Sequence, residues 1–172
     1  MKKIQAHLIG NKVSSNSEEA FSLHEKSSFG EPIGEKIIYS FPESLYLLEK
    51  KKMEIISQKK KISYKILLEK LHRKDRRIQT KYSVFKNLRE KGYVVKTALK
   101  FGADFRVYEK NSRSEKGHAK WIIFADHESR KISWHEFSAK NRVAHSTKKK
   151  LLLAIVDEED DVSYYEVSWV KP

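Results

Sequence analysis

The chain has 172 residues, room for one large domain or two small ones with modest cores. Hydrophobic residues make up 39%, enough for a packed globule and too many for wholesale disorder. Lys and Arg number 36 against 23 Asp and Glu, a formal charge of +13, which favours a polyanionic partner because a basic surface releases phosphate counterions. No cysteine is present, which excludes disulfides, thiolate metal sites and thiol nucleophiles. The opening MKKIQAHLIGNKV is too short and polar for the apolar core of a signal peptide. No stretch approaches the roughly 20 apolar residues that a bilayer span requires. A soluble cytoplasmic protein with no membrane partner is expected. The 34% charged fraction also suits a thermophile's surface.

Along the chain, KIQAHLIG alternates up to Gly10 and EKIIYSF is a second strand candidate. Pro42 opens a helix in PESLYLLEKKK, where proline followed by an acidic residue favours the first turn. MEIIS returns as a strand. In SYKILLEKLHRK, Tyr64, Leu67, Leu68 and Leu71 fall on one helix face, with Ser63 as its cap. After the basic hinge HRKDRRIQTK, the run KYSVFKNLREKG carries an apolar stripe of Val84, Phe85 and Leu88 and stops at Gly92. The pattern then turns to β: YVVKT, LKFGADFRVYEK and HAKWIIFAD, the last preceded by the turn-like NSRSEKG. A helix over SWHEFSAKNRVAHS and the strands KKLLLAIVDE and VSYYEVSWV close the chain.

These patterns predict an α+β protein. A small N-terminal α/β module over residues 1–76 is followed by a C-terminal domain over 77–172, with a mixed sheet flanked by helices. No internal repeat is evident, and the low-complexity pieces are short lysine runs.

The common nucleotide and hydrolase motifs are absent: no G-x-x-x-x-G-K-[ST], no G-x-G-x-x-G and no G-x-S-x-G. The seven histidines form no H-x-H or H-x-x-x-H pair, so no metal site is expected. DEEDD lacks the alternating oxygen ligands and turn glycine of a calcium loop and reads as a hairpin tip. What remains is a strand tyrosine, Tyr108; a histidine after a polar loop, His118; and the lysines 148–150. Singly these are a packed aromatic, a solvated imidazole and an exposed basic run. Together they match RNA cleavage by its own 2′-hydroxyl, which needs a base, an acid for the departing 5′-oxygen and a cation for the phosphorus oxygens. Histidine, with a reference pKa near 6.5, suits the acid. Tyrosine, near 10, requires neighbouring cations to serve as the base.

The segments YSVFKNLREKGYVVKTALKFGADFRVYEK, GHAK and RVAHSTKKKLLLAIVDEEDDVSYYEV resemble the catalytic domain of archaeal tRNA-splicing endonucleases. PESLYLLEKKK is similar to the N-terminal domain of that family, so the resemblance covers nearly the whole chain. It implies a nuclease that needs no cofactor and cuts precursor tRNA at both intron borders, leaving 2′,3′-cyclic phosphate and 5′-hydroxyl ends. By position it implies Tyr108 as general base, His118 as general acid and Lys149 as the transition-state cation. Lys148 and Lys150 flank that lysine, and strand alternation lets only one of the three join the site.

The resemblance also implies that Arg142 of NRVAHS stacks on a flipped bulge base, with guanidinium on π face. The second member of that clamp is not placed by the resemblance; Trp169 of SWV either offers an aromatic face there or packs a strand. The acidic tip Asp157, Glu158, Glu159, Asp160 and Asp161 corresponds to a loop that docks in a basic groove of a neighbouring subunit. A homotetramer is implied, with VSYYEVSWV pairing across a two-fold axis and a bulge–helix–bulge RNA recognised by shape. The competing expectation is a non-catalytic structural subunit or RNA-binding module of the same fold.

Overall fold

The computed structural model describes residues 2–110, 117–170 and 172; of the turn-like run 111–117 expected ahead of His118, residues 111–116 lie outside them. The chain is mixed α and β and divides into two compact units, Met1–Tyr82 and Ser83–Pro172.

The first unit is built on β1 (Ile4–Ile9), β2 (Lys12–Ser15), α1 (Glu18–Ser27), β3 (Glu31–Ile33), β4 (Lys36–Tyr39), α2 (Phe41–Glu49), β5 (Met53–Ser57), β6 (Lys60–Ile62) and α3 (Tyr64–His72). The six strands form one sheet in the order β3-β4-β2-β1-β5-β6. β1 runs parallel to β5 and the remaining pairs are antiparallel, so the sheet is mixed. Strict alternation in β1 sends Ile4, Ala6 and Leu8 inward and leaves Gln5, His7 and Ile9 at the surface. Val13, Ile37, Met53 and Ile55 on the other strands of this sheet are buried as well.

Helix α2 starts earlier than the proline alone predicts, because Ser40 is its cap. The Ser40 side chain accepts the Glu43 N–H and Glu43 returns the bond to the Ser40 N–H, a reciprocal pairing of otherwise orphaned donors. Glu43 is buried and its other carboxylate oxygen accepts the Gly30 N–H at 2.8 Å, which ties the turn before β3 to the helix start. In α3, Ser63 caps the Ile66 N–H, while Leu67 and Leu71 are buried as the spacing predicts.

Helix α4 (Ile78–Glu90) begins three residues before the expected Lys81. Asp75 accounts for this: its carboxylate accepts the Arg77 N–H and its carbonyl accepts the Ile78 N–H. The second unit continues with β7 (Val94–Thr97), β8 (Phe105–Tyr108), β9 (Trp121–His127), α5 (Trp134–Ser146), β10 (Lys150–Val156) and β11 (Val162–Val167). These strands form a mixed sheet in the order β11-β10-β9-β8-β7, with β9 and β10 parallel and the other pairs antiparallel. Leu99–Lys110 is not one strand. Leu99–Phe101 forms a 3₁₀ turn closed by Gly102 at φ +69°, and only Phe105–Tyr108 joins the sheet. Asp104 anchors the turn, accepting the Ala125 N–H at 2.9 Å from inside the core.

Gly30 has φ +70°, and a Cβ there would lie 2.2 Å from Cγ2 of Ile37, itself fully buried. Left-handed backbone and overpacking therefore act together at this position. Gly30→Ala is expected to destabilise the chain by about 2–4 kcal/mol, read as a lowered urea midpoint with an unchanged slope.

Candidate active site

The alignment of strand ends builds the site. Strand β8 finishes at Tyr108, its antiparallel neighbour β9 starts at Trp121, and β10, parallel to β9, starts at Lys150. Val107 pairs with Trp121, and Trp121 pairs with Lys150. The C-terminal end of β8 and the N-terminal ends of β9 and β10 therefore lie along one edge of the sheet. One peptide locks this edge: the Lys120 N–H donates to the Val107 carbonyl at 2.8 Å, and the Lys120 carbonyl accepts the Lys150 N–H at 3.1 Å. Tyr108 ends the first strand, His118 lies two residues before Lys120, and Lys149 immediately precedes the third strand. The topology thus brings all three expected residues to the same end of three adjacent strands.

Their environments differ. Tyr108 is buried in a small cluster with Val94 and Ala119, so the residue following His118 packs against the tyrosine. The Arg106 guanidinium lies 6.0 Å from the centre of the Tyr108 ring. This cationic neighbour was not singled out from the sequence, although residues two apart on a strand share a face. His118 is exposed and Lys149 is half-buried.

The three consecutive lysines separate by backbone geometry. Helix α5 is capped at its start by Ser133 and ends at Thr147. The Lys148 N–H donates to the His145 carbonyl and the Lys149 N–H to the Ala144 carbonyl, the paired closure of a Schellman turn. Lys148 holds the left-handed position of that turn at φ +54°. The Lys149 ammonium donates to the Thr147 carbonyl at 3.0 Å. Lys150 instead pairs with Glu166 at 2.6 Å, and the Trp121 indole N–H donates to the same carboxylate. The Lys150 ammonium first, and the indole second, hold the Glu166 carboxyl below the usual range for glutamate.

Farther along this sheet end, Val167 pairs with Leu151, so the segment after β11 continues beside the start of β10. There Phe137, Arg142, His145, Trp169 and Val170 wall a cavity of about 600 Å³. Arg142 and Trp169 share this cavity, and the His145 ring meets the Trp169 ring edge-on with centroids 4.9 Å apart. His145 is a lining residue that no spacing in the sequence marks. The helix bearing Arg142 is pinned from beneath by Lys140, which pairs with Asp126 of β9 at 2.6 Å with both side chains buried. Arg130 also binds Asp126 and reaches Glu136 at 2.6 Å.

The acidic tip is an ordered hairpin turn. Asp157 accepts the Glu159 and Asp161 N–H groups, each at 2.9 Å, and Asp160, at φ +64°, accepts the Ser83 hydroxyl at 2.8 Å. Glu158, Glu159 and Asp161 are exposed. Among the described residues, no three His, Asp or Glu gather as metal ligands, and no helix is long and apolar enough to cross a membrane.

Comparison with known proteins identifies the family. Residues 78–164 match the tRNA intron endonuclease catalytic C-terminal domain, and residues 4–68 match the N-terminal domain of the same enzyme. The chain is 39% identical to the tRNA-splicing endonuclease of Pyrococcus abyssi over 99% of both chains. It is 46% identical to that of Nanoarchaeum equitans over 76% of this chain and 87% of the relative. With that of Methanothermobacter thermautotrophicus it shares 35% identity over 87% of each. The chain belongs to the tRNA intron endonuclease family. Its relatives are archaeal, and in this family member both matched domains fall in order along the sequence.

The left-handed position of Lys148 generates a test. Lys148→Gly relieves a backbone cost of about 1 kcal/mol at an exposed residue. The variant is expected to melt no lower than the parent chain and to keep its RNA-cleaving rate, measured by calorimetry and by gel assay.

Proposed function

We propose that this chain excises introns from precursor tRNA by cutting both borders of a bulge–helix–bulge without a metal ion. The observation that carries the proposal is the arrival of Tyr108, His118 and Lys149 at one end of β8, β9 and β10. In this reading Tyr108 takes the proton from the 2′-hydroxyl, and the 2′-oxygen attacks phosphorus. The bond to the 5′-oxygen breaks as His118 delivers a proton to it. Lys149 faces the oxygens on which charge accumulates. Bonds and protons balance, and the products are a 2′,3′-cyclic phosphate and a 5′-hydroxyl.

The guanidinium of Arg142 at the rim of the cavity suits stacking on an unpaired base, and Trp169 supplies an aromatic wall opposite the α5 residues. An assembly of four copies is supported by two features of the second unit. β11 is an edge strand with Tyr165 58% exposed, and the acidic turn projects Glu158 and Glu159 into solvent. Such an assembly would hold two active sites at a fixed spacing, so that helix length between bulges, and not base sequence, selects the substrate.

His118→Ala is expected to lower single-turnover cleavage of a bulge–helix–bulge RNA by about 10²–10⁴-fold in EDTA while Kd changes little, because an acid acts on the transition state. Tyr108→Phe should slow the same step while leaving Kd nearly unchanged. Parallel loss of binding and cleavage would remove these roles. Sedimentation of the parent chain should give four times its 20.2 kDa mass, and Glu158→Gln with Glu159→Gln should shift that distribution toward smaller species. An unaltered distribution would remove the docking role of the turn.

A further inference from the structure

The positive charge of this chain is unevenly placed. Between residues 50 and 82, thirteen Lys and Arg stand against three Asp and Glu, so this stretch of the first unit carries most of the net charge. The fold gathers part of it at one end of the six-stranded sheet. Parallel pairing of β1 with β5 puts the β1–β2 turn and the β5–β6 turn at the same sheet end. Lys74, just after α3, donates to Asn11 of the β1–β2 turn, which brings the α3–α4 connection there as well. Lys12, Lys59, Lys60, Arg73, Lys74 and Arg76 are all exposed on these three turns. Asp75, the acid within the connection, is committed to Lys81 at 2.7 Å and to the Arg77 N–H.

We propose that this end of the N-terminal sheet is a phosphate-backbone-binding surface for duplex RNA, on a different compact unit from Tyr108, His118 and Lys149. The inference rests on the reading of the chain as an RNA endonuclease. Folding alone accounts for only part of the cluster. Lys60 guards the edge strand β6, and Arg73 and Lys74 complement the C-terminal end of α3. Arg76, exposed, precedes the N-terminus of α4, where the helix dipole disfavours a cation and the first turn holds no acidic residue. A cation kept there against the helix field is stabilised when an anion covers it. Cations spread over three turns match a row of phosphates better than a single compact carboxylate group. The acidic turn of a second copy is also a weaker match, since Asp157 and Asp160 are already hydrogen-bonded within their own hairpin.

The test uses the full chain with Lys59, Lys60, Arg73 and Arg76 replaced by Gln, an intron-containing precursor tRNA and a short hairpin bearing only the bulge–helix–bulge. Filter binding across a KCl series from roughly 50 to 300 mM is expected to show about 10–100-fold weaker precursor binding, with the log–log salt slope reduced by about 3. Saturated cleavage of the short hairpin should stay at the parent rate. The single variants Lys59→Gln and Arg76→Gln should each reduce the slope by about 0.7–0.9, which keeps the test decisive if the quadruple variant folds poorly. An unchanged slope would overturn the surface. So would unchanged affinity with a lighter sedimenting species, which would assign the cations to subunit contact. Failure of the parent chain to cleave either RNA would overturn the endonuclease reading alone, because the salt slope of binding is measured without turnover.

Discussion

The peptide group of Lys120 is the constraint on which the site depends. Its N–H and C=O are bonded to β8 on one side and β10 on the other, so the ends of three strands share one register. A backbone hydrogen bond contributes only about 1 kcal/mol net, but leaving a buried partner unpaired costs more. A slip of one residue would also reverse the face of every side chain in the slipped strand. Ile122, Ile123, Leu151 and Val107 are essentially inaccessible to solvent, so the core penalises that slip heavily. The positions of Tyr108, His118 and Lys149 thus follow from burying the sheet, not from contacts among the three residues.

Helix α5 adds a second restraint. Its start is tied down by Ser133, its middle by the buried Lys140–Asp126 pair, and its end by the Schellman closure into β10. Burying an ion pair is a weak source of stability, because desolvation offsets much of the attraction. What the pair gives here is orientation. The same helix turns Arg142 toward the cavity and delivers Lys149 to the strand ends, so a rotation of α5 would displace both.

Much of the fold was legible locally. The alternation of Ile4–Ile9, the buried Leu67 and Leu71 and the serine cap at 63 all follow from period and capping chemistry. Helix α1 escaped because only Ala20 and Leu23 of its ten residues are buried, too few anchors to set a period; its local marks are the Ser17 cap, which accepts the Ala20 N–H, and Glu18 and Glu19 in the first turn. Strand β3 is three exposed residues defined by pairing with β4, which no local pattern encodes. Leu99 and Phe101 look like strand residues by type, yet Leu99 is 76% exposed, because Asp104 and the left-handed Gly102 bend the chain before the sheet resumes. In the site, the residue types were readable, but the adjacency of β8, β9 and β10 is a long-range outcome of topology.

The difference among Lys148, Lys149 and Lys150 shows why charge alone does not designate a site residue. A lysine in solvent must give up rotamer freedom and hydration each time it meets a phosphate. Lys150 carries a further penalty, since engaging a phosphate would release Glu166 from both its ammonium and the Trp121 indole. Lys148 occupies the left-handed turn position and is exposed. Lys149 is half-buried, its N–H is bonded into the end of α5 and its ammonium rests on the Thr147 carbonyl. A carbonyl is a weaker partner than a carboxylate, so this ammonium is oriented without being neutralised. An incoming phosphate can replace that neutral acceptor with little reorganisation. Electrostatic stabilisation of a transition state is most effective when the charge is positioned before the reaction begins, which is why the proposed reaction is written through Lys149 and not through its neighbours.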